Sequence, residues 1–189
     1  MSLELLAPVE VLRTPEPVEA WRAWTLWGRR DGTGLRLRPI AGRSRPWPPL
    51  RPAEASCGLA RLHAAPNLHC SCGLHGTRDP AALKRAKDPA VVGTVALWGT
   101  VIEHDLGYRA RFAYPQRLRL VCTFCFWRWG LERSRADVVG QVPRGRLVPL
   151  CADHAALSRR YGLVPRRLFD ARRIQQELLA TYAVDPLGA

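Results

Sequence analysis

Cys122 and Cys125 in CTFC, with Cys151 and His154 in CADH, have the types and spacing of a metal site. Two soft donors separated by two residues grip one ion from one side, and two such grips complete the tetrahedron that structural zinc adopts. Between the pairs, VVGQVPRGRLVPL sets two short apolar runs around a Pro-Arg-Gly break, which predicts a hairpin. The following ADHAALSRRYG has helical character and would put His154 in a first helical turn. The competing account is four unrelated core residues, since unpaired Cys is often buried.

A second group of donors, Cys57, His63, His69, Cys70, Cys72 and His75, crowds into 57–75. Cys57, His63, Cys70 and Cys72 make a Cys3His set for a second zinc, with His69 or His75 as substitutes, and Pro66 and Gly73 let the chain wrap tightly. The Cys-x-Cys step leaves two rivals open: a redox-active thiol cluster, or a catalytic zinc with one open position and Glu103 or His104 as base. Glu103, His104 and Asp105 are adjacent, however, and neighbours on a strand point to opposite sides, so together they read as a polar turn.

A cysteine knuckle, a hairpin and a helix carrying the last ligands resemble a treble-clef zinc finger over residues 122–161. That resemblance implies a zinc-pinned scaffold, which other proteins use for nucleic acids, for protein partners or for nuclease chemistry. Hydrolytic treble clefs carry extra histidines near the hairpin, and none lies between Cys125 and His154, so a structural finger is expected. More loosely, ALWG through AYP followed by Cys-x-x-Cys resembles uncharacterised basic, zinc-binding proteins of high-GC bacteria, which implies no function.

Positioning these donors falls to a chain of 189 residues with 16 Pro and 15 Gly, long enough for a core and rich in turns. Lys plus Arg total 29 against 16 acidic residues, a formal charge of +13, and only Lys84 and Lys87 are lysines. Coding in a GC-rich genome favours Arg over Lys, but the sign of the charge favours a polyanionic partner, DNA or RNA. The start, MSLELLAPVEVL, lacks the basic region of a secretory signal, and no long apolar run suggests a membrane span. A cytoplasmic location follows as an expectation, and with it metal ligation in preference to disulfides.

Residues 1–20 read as an extended arm or edge strand broken by Pro8, Pro15 and Pro17. DGTG predicts a hairpin turn between strands at 25–29 and 35–40. The proline-rich stretch 42–52 is a loop or linker, with Trp47 its anchor to the core, the favoured reading for a large aromatic, or else an exposed stacking side chain. Asp79 and Pro80 open a short basic helix. Residues 91–103, 108–114 and 117–120 then form a β-meander leading into Cys122. The fold class expected is α+β, a mainly antiparallel β-meander with zinc-stabilised loops, the finger and a helical carboxy-terminal segment. Its parts are a β-rich domain at 1–121 and a finger with helices at 122–189.

Arg36 and Arg38, Arg109 and Arg111, and Arg117 and Arg119 alternate with apolar residues on predicted strands. In one sheet they would form a phosphate-binding face, or simply a solvated outer face. Arg166 and Arg167 lie in LSRRYGLVPRRLF, which looks like the turn of a helix-turn-helix, with a helix from Pro165 to about Tyr182. An antiparallel helical pair is the alternative there. DPLGA reads as a frayed tail. The function expected is nucleic-acid binding on structural zinc. The alternatives are a protein-interaction adaptor docking through the Trp- and Pro-rich amino-terminal third, and a zinc enzyme acting on nucleic acid.

Overall fold

A computed structural model describes residues 11–40, 45–58 and 63–188. The stretches richest in β-branched and aromatic residues become the long strands, because such side chains pack well on a pleated surface. In chain order the elements are β1 (Val11–Trp27), β2 (Arg36–Pro39), β3 (Ala53–Glu54), β4 (Leu74–Thr77), β5 (Val91–His104), β6 (Gly107–Leu120) and α1 (Thr123–Trp129). They continue with β7 (Val138–Gln141), β8 (Arg146–Leu150), α2 (Ala152–Ala156), β9 (Arg167–Asp170), α3 (Ala171–Tyr182) and β10 (Asp185–Pro186). The result is a mostly antiparallel sheet with a few helices, an α+β protein.

β1, β5 and β6 form an antiparallel frame, and the short β4 pairs with both β1 and β6, so the pairing closes into a ring. Gly107 permits the closure at the β5–β6 turn: its φ is +145°, and a Cβ there would sit 2.1 Å from the Gly76 carbonyl oxygen. Inside the ring lie Trp24, Leu37, Val95, Leu97, Val101, Ala110 and Leu118, all buried. Trp47 joins them at 2 % exposure, edge-on to Trp24 at 5.3 Å, as an anchor for its proline-rich loop.

The hairpin expected around DGTG forms as β1 with β2, and its turn is fixed by Asp31 Oδ1, which accepts from Thr33 N and Oγ1. Asp79 and Pro80 open a 3-10 turn, Pro80–Arg85, in place of an α-helix. The described part of the amino-terminal arm, from Val11 to Ala20, is extended and pairs with β5 alone, as an edge does, and its pairing skips between Thr14 and Val18, where Pro15 and Pro17 cannot donate. The same strand continues to Trp27 and gains neighbours on its second side from Trp21 onward. β6 likewise runs through Pro115 as one strand, because bulges at Thr94/Val95 and Trp98/Val101 absorb the mismatch. Residues 1–10 and the Gly42–Ser44 part of the proline loop lie outside the described residues.

Downstream of Leu120 the chain returns to the same sheet. β8 pairs with β1 through Leu26 and Leu147, and β7 and β9 extend the sheet beyond it. Val139, Leu147, Ile174 and Leu178 share one buried cluster with Trp24 and Val95, so the core runs across the 121/122 boundary. The helix-turn-helix expectation fails here. Residues 167–170 are β9, drawn onto the open edge of β7, and α3 starts only at Ala171, capped by Asp170 Oδ1 on Arg173 N. The carboxy terminus is not frayed either: β10 lies parallel to β6 and Leu187 N donates to Leu118 O.

Candidate metal centres and basic surface

Each donor of the finger sits at the end of an element. Cys122 caps α1 and Cys125 lies within its first turn, while Cys151 caps α2, whose third residue is His154. The β7–β8 hairpin between them brings the two ends together, and the Cys151 sulfur accepts from His154 N at 3.5 Å. Hairpin and helix therefore follow in the expected order, and the Cys-x-x-Cys step itself forms the N-cap and first turn of α1.

The four donor atoms approach one another as ligands of one ion do. Cys125 Sγ to Cys151 Sγ is 3.7 Å, and His154 Nδ1 lies 3.1, 3.4 and 3.6 Å from the sulfurs of Cys151, Cys125 and Cys122. Bonds of about 2.3 Å at tetrahedral angles give S···S edges of about 3.8 Å. A disulfide would need about 2.05 Å. Cys122 is fully buried, the His154 ring stacks on Phe124 at 5.0 Å, and Tyr161 closes over Phe124 at 4.4 Å. Desolvation, ahead of the neighbouring thiols, pushes the Cys125 thiol up to about 12 and raises that of Cys122. Three thiolates in such a pocket need a cation to hold their charge.

The second group converges as well: the donors of Cys57, His63, Cys70 and Cys72 lie within 4.8 Å of one another, and the Cys57 and Cys70 sulfurs are 3.8 Å apart. His63 Nδ1 lies 3.2 Å from Ala64 O, a carbonyl that fixes the ring and leaves Nε2 for an ion. His69 and His75 stand outside the set. His75 Nε2 faces Ser71 O at 3.0 Å, and only the backbone of His69 bonds locally, to Asn67 Oδ1. Desolvation, with a smaller contribution from the neighbouring thiols, raises the Cys72 thiol. All six cysteines and two of the five histidines thus build two Cys3His clusters able to hold metal ions.

Most of the arginines expected on one phosphate-binding face have other work. Arg109 donates through Nη1 to the carbonyls of Asn67, Cys70 and Cys72, tying the second cluster's loop to β6. Arg111 pairs with Glu54 at 3.0 Å, and Arg38 lies over the Trp27 ring at 4.3 Å. Arg36 donates to Leu35 O and Arg119 to Gly188 O. Arg117 and Arg166 keep side chains without a partner among the described residues, and Arg167 donates to Arg30 O. Glu103, one candidate base, is engaged by Arg78. Trp24 and Trp47 are core residues, which removes two aromatics from any amino-terminal docking surface.

Sequence reasoning missed the basic residues at turn tips, Arg29, Arg30 and Arg144. The available signal was Arg beside Gly in GRRDG and PRG, where a turn must leave the side chain in solvent. It also missed exposed Trp129, which lies against Arg128 and Arg133 at 4.7 and 5.6 Å. Among the described residues no helix is long and apolar enough to cross a membrane. Comparison with protein-family models, with curated proteins and with solved structures gives no match.

Proposed function

We propose that this chain is a zinc-binding, Arg-rich nucleic-acid-binding protein in which two structural zinc ions fix loops that carry a basic surface. The observation that carries the reading is the convergence of two complete Cys3His sets in a chain of formal charge +13. Two Zn2+ with their thiolates lower that charge by only about two units, so the molecule stays strongly basic. Residues 122–161 act as a treble-clef-like finger. Four protein donors at each cluster favour a structural ion over a catalytic one, which keeps an open position.

The test has two readings on one preparation. Elemental analysis of the purified chain should give two zinc ions per molecule. Fluorescence anisotropy with labelled duplex DNA, single-stranded DNA and RNA should show binding that weakens steeply with salt, with a log–log slope near −0.9 per phosphate contact on duplex DNA. Metal content below one ion per chain would defeat the zinc assignment. Absence of binding at low salt would defeat the nucleic-acid assignment and favour a protein-interaction adaptor.

A further inference from the structure

Three separate segments meet where β1 ends, where the β7–β8 hairpin turns and where β9 begins. Backbone and amide hydrogen bonds stitch them together: Gly28 N donates to Gly145 O at 2.9 Å, Gln141 Nε2 to Arg29 O at 2.8 Å, and Arg166 N to Gln141 O at 2.8 Å. Gln141 is buried, so the junction is a built one. Around it opens a cleft of about 510 Å³ lined by Arg29, Arg30, Arg144, Arg166 and Arg167. All five are exposed, and among the described residues no carboxylate lines the cleft.

Of the acids nearest in sequence, Asp31 accepts from Thr33 through Oδ1 and feels the charge of Arg29, and Asp170 Oδ1 caps α3. Arg144 adopts φ +67°, a left-handed conformation that a side chain rarely takes, and Gly145 follows at +82°. The tight β7–β8 hairpin requires this geometry, and it holds the Arg144 side chain out in solvent. Guanidinium forks donate two parallel hydrogen bonds to the oxygens of a phosphate, and they stay charged at any physiological pH.

We infer that this arginine cleft seats the phosphodiester backbone of the nucleic acid. Five exposed guanidiniums drawn from three segments suit a chain of phosphates better than a single small anion. The inference rests on the nucleic-acid reading above, and moves its main contact from the β6 arginines to the sheet's far end.

The experiment uses the full zinc-loaded chain, the double variant Arg144→Gly with Arg166→Gln, and a control of equal charge, Arg85→Ala with Arg160→Ala, whose residues lie outside the cleft. Glycine suits the left-handed position, and Arg166 has no side-chain partner to lose. Affinity for labelled duplex and single-stranded oligonucleotides is read by anisotropy between 50 and 300 mM salt, with melting temperature and zinc content as fold checks. The cleft variant should bind roughly tenfold or more weakly, with a duplex salt slope shallower by about two contacts. The control should change by less than about twofold. If the parent binds and both variants weaken alike, the cleft assignment is overturned while the nucleic-acid reading stands. If the parent binds no oligonucleotide at any salt, that reading fails first. Should the double variant lose zinc or melt early, Arg166→Gln alone decides the same comparison.

Discussion

Arg109 shows how far a single side chain can depart from its charge as a guide. One guanidinium nitrogen on β6 donates to three carbonyls around the second cluster, so the residue sets the shape of a metal loop. Residues that hold ligands in place typically alter metal affinity about 10–100-fold when removed. Arg109→Ala should therefore weaken zinc at the second cluster by that factor and leave the finger's zinc in place, as competition with a chromogenic chelator would report. Retention of both ions at parental affinity would show that the loop holds itself. The clustering of the Cys and His donors was legible in the sequence because cysteine spacing is local. The partners of the arginines were not, because they depend on which loop folds over which strand: Glu54 meets Arg111 across 57 positions of chain.

Among the elements, α3 is tied to the sheet by its last residue. Tyr182 is fully buried, its hydroxyl accepts from Leu37 N at 2.9 Å and donates to Trp47 O at 2.9 Å, and it thereby joins the helix, β2 and the proline loop. Tyr182→Phe would leave a buried donor and a buried acceptor unpaired, at about 1–3 kcal/mol. Burial also pushes the phenol from its ordinary value up to about 12. A raised acid stabilises the fold fully below the unfolded value near 10, and that contribution disappears as pH climbs through about 12. Melting curves from pH 8 to 11 should thus fall more steeply for the parent than for Tyr182→Phe above pH 10; parallel curves would remove Tyr182 from the alkaline transition. The end of α3 was legible from its apolar spacing, but its start was not. Pro165 and Leu168 fit helical rules, yet the open edge of β7 offers hydrogen bonds that outweigh them.

For the molecule as a whole, the two clusters differ in what they are fastened to. The finger's shell of Val148 and Leu150 continues through β8 into the main core at Leu147, whereas the second cluster sits on a loop held by β4 and Arg109. Chelation should therefore raise hydrogen exchange in 63–77 and in 122–157 while the long pairings of β5 with β1 and β6 remain protected; mass spectrometry of exchanged peptides separates these regions. Uniform loss of protection would mean that the ions hold the sheet itself. The α+β class and the hairpin order were readable from alternation and turn residues. The ring was not, since a four-residue strand holding His75 and Gly76 carries no signal of its own.

Closure of that ring has a consequence for handling the protein. β4 begins two residues after Cys72, so the clasp that meets β1 at Trp21 and β6 at 107–110 is anchored by a candidate metal ligand. A chain without an ion there would bare the backbone donors and acceptors at those positions, an invitation to stack with its neighbours. Oxidation of one thiol in the cluster would then be felt first as precipitation.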